Sequence, residues 1–124
     1  MTSPFTALRN KKTKTGKFRK SAHEVARTLA KEVAKHTDKK RIILVPILRA
    51  GLALLPAFIE KFPEASVGFI GRKRDEKTLK PKAYYQNIPK ISKTDVVIVL
   101  DPMLATGGSA VAGIKTIVNA GARE

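Results

Sequence analysis

Three short, almost unbroken apolar runs set the terms for this chain: Ile42-Ile43-Leu44-Val45-Pro46-Ile47-Leu48, Ser66-Val67-Gly68-Phe69-Ile70 and Val96-Val97-Ile98-Val99-Leu100. A strand with one wet face alternates apolar and polar residues, so a continuous run is the pattern of a strand covered on both faces. Around these runs the periodicity is helical. From Lys17 to about His36, Phe18, Ala22, Val25, Ala26, Leu29, Ala30, Val33 and Ala34 recur at three- and four-residue steps, with Lys20, Arg27, Lys31 and Lys35 opposite. Ala50-Gly51 opens a second helical stretch to about Lys61, stopped by Phe62-Pro63, and Val111, Ile114, Ile117 and Val118 mark a third. Buried strands alternating with helices predict an α/β fold, an open sheet of three parallel strands with right-handed crossovers. Pro46 has no N–H to donate and predicts an interruption of pairing near the end of the first strand.

A chain of 124 residues is long enough for one core. Residues 1–16 mix turn formers with charge and read as a basic N-terminal arm or loop, with residues 17–124 as the domain. The polar segment after Gly71, as far as Thr94, holds Tyr84-Tyr85 and two prolines and reads as a lid or binding loop. The 25 Lys and Arg against 10 Asp and Glu give a net charge of +15, which attracts polyanions: phosphorylated metabolites, RNA or an acidic membrane face. Absence of cysteine excludes disulfides and thiolate metal sites, and with His23 and His36 apart on the first helix no metal site of protein ligands is expected. No apolar run reaches the length of a bilayer span, and the cytoplasm is the simplest address.

In an open parallel sheet, ligands sit beyond the carboxyl ends of the strands. The polar residues at those ends are Arg49 after the first run, Arg72 to Glu76 after the second, and Asp101 with Thr106-Gly107-Gly108-Ser109 after the third. Gly107 and Gly108 permit close backbone approach. The amides of the following helix and the hydroxyls of Thr106 and Ser109 can donate to a phosphate. Asp101 is itself an anion and suits the hydroxyls of a ribose instead. A Gly-Gly turn also simply starts helices, so the pattern alone leaves phosphate binding and plain helix initiation both open.

The full string Asp101-Pro102-Met103-Leu104-Ala105-Thr106-Gly107-Gly108-Ser109 resembles the diphosphoribose-binding signature of the uracil phosphoribosyltransferases. Val45-Pro46-Ile47-Leu48-Arg49-Ala50-Gly51-Leu52 is similar to that family's other distinctive segment. Gly71 to Pro81 with Tyr84-Tyr85, and upstream Leu8-Arg9-Asn10, Thr15 and Phe18-Arg19, match in the same order. The resemblance implies a Rossmann-like, three-layer type I phosphoribosyltransferase core, incomplete on its C-terminal side. It implies that Arg49 and Arg74 contact the phosphates of phosphoribosyl pyrophosphate (PRPP), and that residues 101–109 hold its ribose and 5-phosphate. Arg49, Arg74 and Asp101 would be the catalytic set. The implied reaction is pyrimidine salvage: uracil displaces pyrophosphate from the anomeric carbon through a loose, cationic transition state and gives uridine monophosphate. A magnesium ion would arrive with PRPP.

Departures from the family bear on partners. Its members continue beyond the helix that ends here near Ala120, adding strands and a Gly-Asp-Ala stretch that recognises uracil. They also carry a long β-arm, used in dimer contacts, where only Thr37-Asp38-Lys39-Lys40 stands. Part of a longer enzyme, a half completed by another chain or by a homodimer, and a repurposed RNA-associated structural protein are the three expectations. The seven cations and no acid from Arg9 to Lys20 have the footprint of an RNA-bound protein, or of a plain solvated face, and no RNA-binding motif accompanies them. Arg72 and Lys73 are expected to be solvated charges, and Tyr84 and Tyr85 receive no role.

Overall fold

The computed structural model describes residues 3–37, 40–74, 77–78, 81–103 and 107–123; for 73, 74, 81–84 and 109 it describes the backbone and not the side chain. The elements are α1 (Pro4–Arg9), α2 (Thr15–Ala34), β1 (Ile42–Leu48), a 3-10 turn (Ala50–Ala53), α3 (Leu55–Lys61), β2 (Ser66–Val67), β3 (Phe69–Arg74), β4 (Pro81–Asn87), β5 (Val96–Leu100) and α4 (Gly108–Asn119).

β1 is the centre of the sheet. It pairs in parallel with β5, from Ile42↔Val96 to Pro46↔Leu100. On its other side β2 and β3 follow one another in a single register, Ile43↔Ser66 and Leu44↔Val67, then Ile47↔Ile70 and Leu48↔Gly71. The parallel core is as expected, but five strands stand where three were predicted. The second apolar run breaks at Gly68 into β2 and β3, and β4 lies antiparallel to β3, from Phe69↔Asn87 to Arg74↔Pro81. The segment from Gly71 to Thr94 is therefore a β-hairpin for much of its length and not a loop. Its outer strand is polar, so no apolar run announced it.

Pro46 does interrupt pairing, though in mid-strand and on one side only. The gap between Leu44↔Val67 and Ile47↔Ile70 falls opposite it, while pairing with β5 continues to Leu100. A missing N–H removes bonds toward one neighbour alone, because successive donors along a strand point to alternate sides.

The side chains of β1 divide between the two faces with period two. Ile42 and Leu44 join Ala30 of α2, Phe58 of α3 and Leu100 of β5 in one core cluster. Ile43 and Val45 join Ile70, Ile91 and Ile117 of α4 in the other. Helices thus cover both faces in three layers, which is why the run needed no polar alternation. Each large side chain so removed from water contributes about 1.5–3 kcal/mol.

Two helical boundaries differ from expectation. Residues 1–16, read as an arm or loop, contain α1: Ser3 Oγ accepts the Phe5 N–H at 3.3 Å, Pro4 occupies the first turn, and Ala7 is buried. A serine cap followed by proline is a helix start that outweighed the lack of an apolar repeat. The stretch from Ala50 to Lys61 is a 3-10 turn followed by α3, with Pro56 in the first turn of the latter. At the opposite end of the sheet, Arg41 holds three segments together. Its Nη1 donates to Asp95 Oδ2 at 3.0 Å and to the Lys90 carbonyl at 2.9 Å, and its Nη2 to Ser66 Oγ at 3.3 Å.

Candidate functional site

Register brings the sequence-predicted residues to one edge. Pro46 lies opposite Leu100, so the chain leaving β1 at Arg49 and the chain leaving β5 at Asp101 emerge side by side. Leu48 lies opposite Gly71, which puts β3 and its cations on the other flank of the same turn. The peptide bond between Leu48 and Arg49 is cis. Arg49 is exposed, and no ion pair or hydrogen bond joins its guanidinium to another described residue.

The turn after Arg49 is pressed onto β5. A β-carbon on Gly51 would run into the Leu100 carbonyl oxygen and would stand 3.1 Å from Pro46 Cα. Only glycine lets this backbone lie across the ends of both strands, one residue before Asp101. Gly51 is therefore a packing residue that keeps the two candidate loops adjacent.

Asp101 is half-buried, and its Oδ1 accepts the Met103 N–H at 3.1 Å. This local turn fixes the carboxylate at the mouth of the bend and leaves further lone pairs to accept from a ligand. Pro102 and Met103 are exposed, Met103 at 70%. Leu104, Ala105 and Thr106 lie outside the described residues, as do the side chains of Arg74 and Ser109.

The bend re-enters description at Gly107, whose φ of 81° is the left-handed conformation that L side chains seldom adopt. A β-carbon here would meet nothing within 4 Å, so the requirement is conformational and the space above the bend is open. Gly107 caps α4, and the first helical bond runs from the Val111 N–H to the Gly107 carbonyl at 2.9 Å. The first turn contains no acidic residue. An α-helix leaves its first-turn donors to partners outside the helix and carries partial positive charge there, which suits an anion.

Arg72 is not the solvated charge expected of it. Its Nη2 donates to the Ala112 carbonyl at 3.1 Å and to Thr116 Oγ1, tying β3 to the second and third turns of α4. Its Nε is buried and has no hydrogen-bond partner among the described residues. The signal was available in the alternation: Ile70 faces α4 through the Ile117 cluster, and Arg72 is two residues further along the same strand. His23 lies 3.7 Å from Glu60 of α3, and Arg27 lies 3.6 Å from the same carboxylate, both on the surface between α2 and α3. Tyr85 is exposed, and its hydroxyl accepts from Asn87 Nδ2 at 3.4 Å; the Tyr84 side chain is outside description.

A cavity of about 540 Å³ opens elsewhere, along the far edge of β5 and the flank of α4, lined by residues that include Val97, Val99, Ile114 and Val118. β5 pairs only with β1 among the described residues, and Val111 and Ile114 are about half exposed. This opening lies along an edge of β5 that no further described strand covers, and it is separate from the polar residues at the strand ends.

Comparison with known proteins agrees with this architecture. A family model described as uracil phosphoribosyltransferase matches residues 32–124. The uracil phosphoribosyltransferase of Acholeplasma laidlawii is 38% identical over 135 residues, covering 94% of this chain and 65% of its own length. That of Paracoccus denitrificans is 39% identical over 139 residues, covering 97% and 66%. The chain therefore spans about 65% of the length of these relatives. Both matched lengths exceed its 124 residues, so the relatives hold inserted residues within the matched span. A solved protein from Aquifex aeolicus has a TM-score of 0.84 at 34% identity, with 95% of this chain and 65% of that one covered. A hypoxanthine-guanine phosphoribosyltransferase from Bacillus anthracis, at TM-score 0.69 and 16% identity over 84% of this chain and 62% of that one, shows the fold alone.

Proposed function

The chain belongs to the uracil phosphoribosyltransferase family, and from that premise we propose that its 124 residues form the part that binds PRPP for transfer to uracil. The observation that supports the reading is that β1 and β5 end side by side in the Pro46↔Leu100 register, so the segments bearing Arg49 and Asp101 leave the sheet at one end, where a left-handed Gly107 also opens α4. The Asp101 carboxylate accepts the ribose hydroxyls. The backbone from Gly107 onward, with Pro102, Met103, Leu104, Ala105, Thr106, Gly108 and Ser109 completing the loop, holds the 5-phosphate. Arg49 and Arg74 hold the pyrophosphate.

The reaction suits groups of this kind. The bond from the anomeric carbon to the pyrophosphate oxygen breaks, the carbon bonds to uracil N1, and the N1 proton passes to water. Negative charge grows on the departing pyrophosphate, where a guanidinium in contact stabilises it more in the transition state than in the ground state. A magnesium ion bound together with PRPP would supply further positive charge to the leaving pyrophosphate beside Arg49 and Arg74. Among the described residues no group of three or more His, Asp or Glu gathers to hold an ion apart from the substrate. Base recognition falls to the portion of the relatives' length outside the matched 65%, supplied by the same or another polypeptide. The setting is cytoplasmic pyrimidine salvage.

Calorimetric titration of magnesium PRPP into the chain tests this. One site per chain is expected, and Arg49→Ala should weaken it by about tenfold or more, the worth of a charge-assisted contact, with an unchanged circular dichroism spectrum. An affinity that Arg49→Ala leaves intact contradicts the assignment.

A further inference from the structure

Few cations of this molecule are ion-paired among the described residues, and what sets one block of them apart is its density. Arg27, Lys35 and Arg41 each have a carboxylate within ion-pair distance, in Glu60, Glu32 and Asp95. Arg9, Lys11, Lys12, Lys14, Lys17, Arg19 and Lys20 have none: no acidic residue interrupts them in sequence, and no ion pair joins them to a described residue. All seven are exposed. Attraction of PRPP to the strand ends does not account for a dense, uncompensated block on another element.

The block is not a loose tail. It occupies the corner between α1 and α2, and three bonds fix that corner: Thr13 Oγ1 to the Ala7 carbonyl at 2.7 Å, the Lys12 N–H to Asn10 Oδ1 at 2.9 Å, and the Thr13 N–H to the Asn10 carbonyl at 3.0 Å. Two exposed aromatic side chains accompany it, Phe5 before it at 53% exposure and Phe18 within it at 45%, and neither belongs to a core cluster. Exposed rings are unfavourable in water and usually pack beneath a surface. Here they stand among seven cations on a braced corner.

We propose that this corner binds single-stranded RNA, with the cations on the phosphates and Phe5 and Phe18 stacking on bases. Dense positive charge with exposed aromatic rings on the same corner suits the phosphates and bases of an unpaired strand. An anionic lipid surface shares the phosphate chemistry, but it needs a continuous apolar face to insert. Between residues 3 and 20 the large apolar side chains are Phe5, Leu8 and Phe18, and Leu8 is partly buried. This surface is independent of the PRPP reading.

Fluorescence anisotropy with a labelled, mixed-sequence 20-nucleotide RNA and the whole chain decides the matter. Affinity should fall roughly a hundredfold between about 50 and 200 mM salt, as expected for about five phosphate contacts on a single strand. The combined Lys11→Glu, Lys12→Glu and Lys14→Glu variant should lose at least about tenfold, more than an equal charge change at the exposed Lys61, Lys90 and Lys93. Phe18→Ala should lose about tenfold with the salt slope unchanged. Lys12→Glu alone, on an exposed turn, gives the same direction without relying on the triple variant to fold. The proposal is overturned if the Lys61, Lys90 and Lys93 variant loses as much, if Phe18→Ala binds like the parent, or if vesicles of anionic phospholipid bind while RNA does not.

Discussion

Gly51 has no room for a side chain because the Leu100 carbonyl and the Pro46 backbone occupy the place where a β-carbon would stand. Gly51→Ala should therefore cost about 1–3 kcal/mol, the usual penalty of overpacking, with the unfolding midpoint in urea as the measure. The variant should also weaken PRPP binding, because the turn it displaces carries Arg49. The two glycines that matter most were legible to different degrees. Gly107 was marked by its neighbours and by the turn chemistry around it, since a positive φ is a local demand. The demand on Gly51 comes from Leu100, 49 residues away, and no local pattern reports it. Asp101 was singled out because a carboxylate directly after a buried strand has few structural uses, whereas Arg72 was misjudged because its partners Ala112 and Thr116 lie on a helix 40 residues further on.

At the scale of elements, α4 is held to the sheet by a polar tie to β3 beside an apolar contact with β1. Arg72 donates to Ala112 and Thr116, and Gly113 brings α4 so close that a β-carbon there would lie 3.0 Å from Ile47 Cδ1. Thr116 Oγ1 in turn donates to the Ala112 carbonyl at 3.0 Å, so the three groups act together. A double-mutant cycle with Arg72→Met and Thr116→Val should show a coupling energy of about 0.5–3 kcal/mol in denaturation, and additive effects would separate the two residues. The main helices and parallel strands could be read from the sequence because continuous apolar runs and 3.6-residue periodicity are local signals. β4 could not, being polar and, among the described residues, paired through its backbone with β3. α1 carried its signal in Ser3-Pro4, a cap that counts for more in a six-residue helix than any apolar repeat.

The whole molecule has three layers and two unequal faces to its surroundings. One end of the sheet gathers Arg49, Asp101 and the mouth of α4, and the far edge of β5 leaves Val97 and Val99 beside an open cavity of about 540 Å³. No helix among the described residues is long and apolar enough to cross a membrane. The net charge of +15, visible from composition, divides in three dimensions among a few ion-paired cations, exposed cations spread over the scaffold, and a dense block of seven at the α1–α2 corner. Composition could state the sum but not that division. The most direct test of the binding site is backbone amide NMR of the chain as ribose 5-phosphate is added. The largest shifts are predicted at Gly107 and Gly108 and at Asp101, with little change along α2. Shifts confined to the Arg9–Lys20 corner, or none at all, would contradict a phosphate cup between β5 and α4.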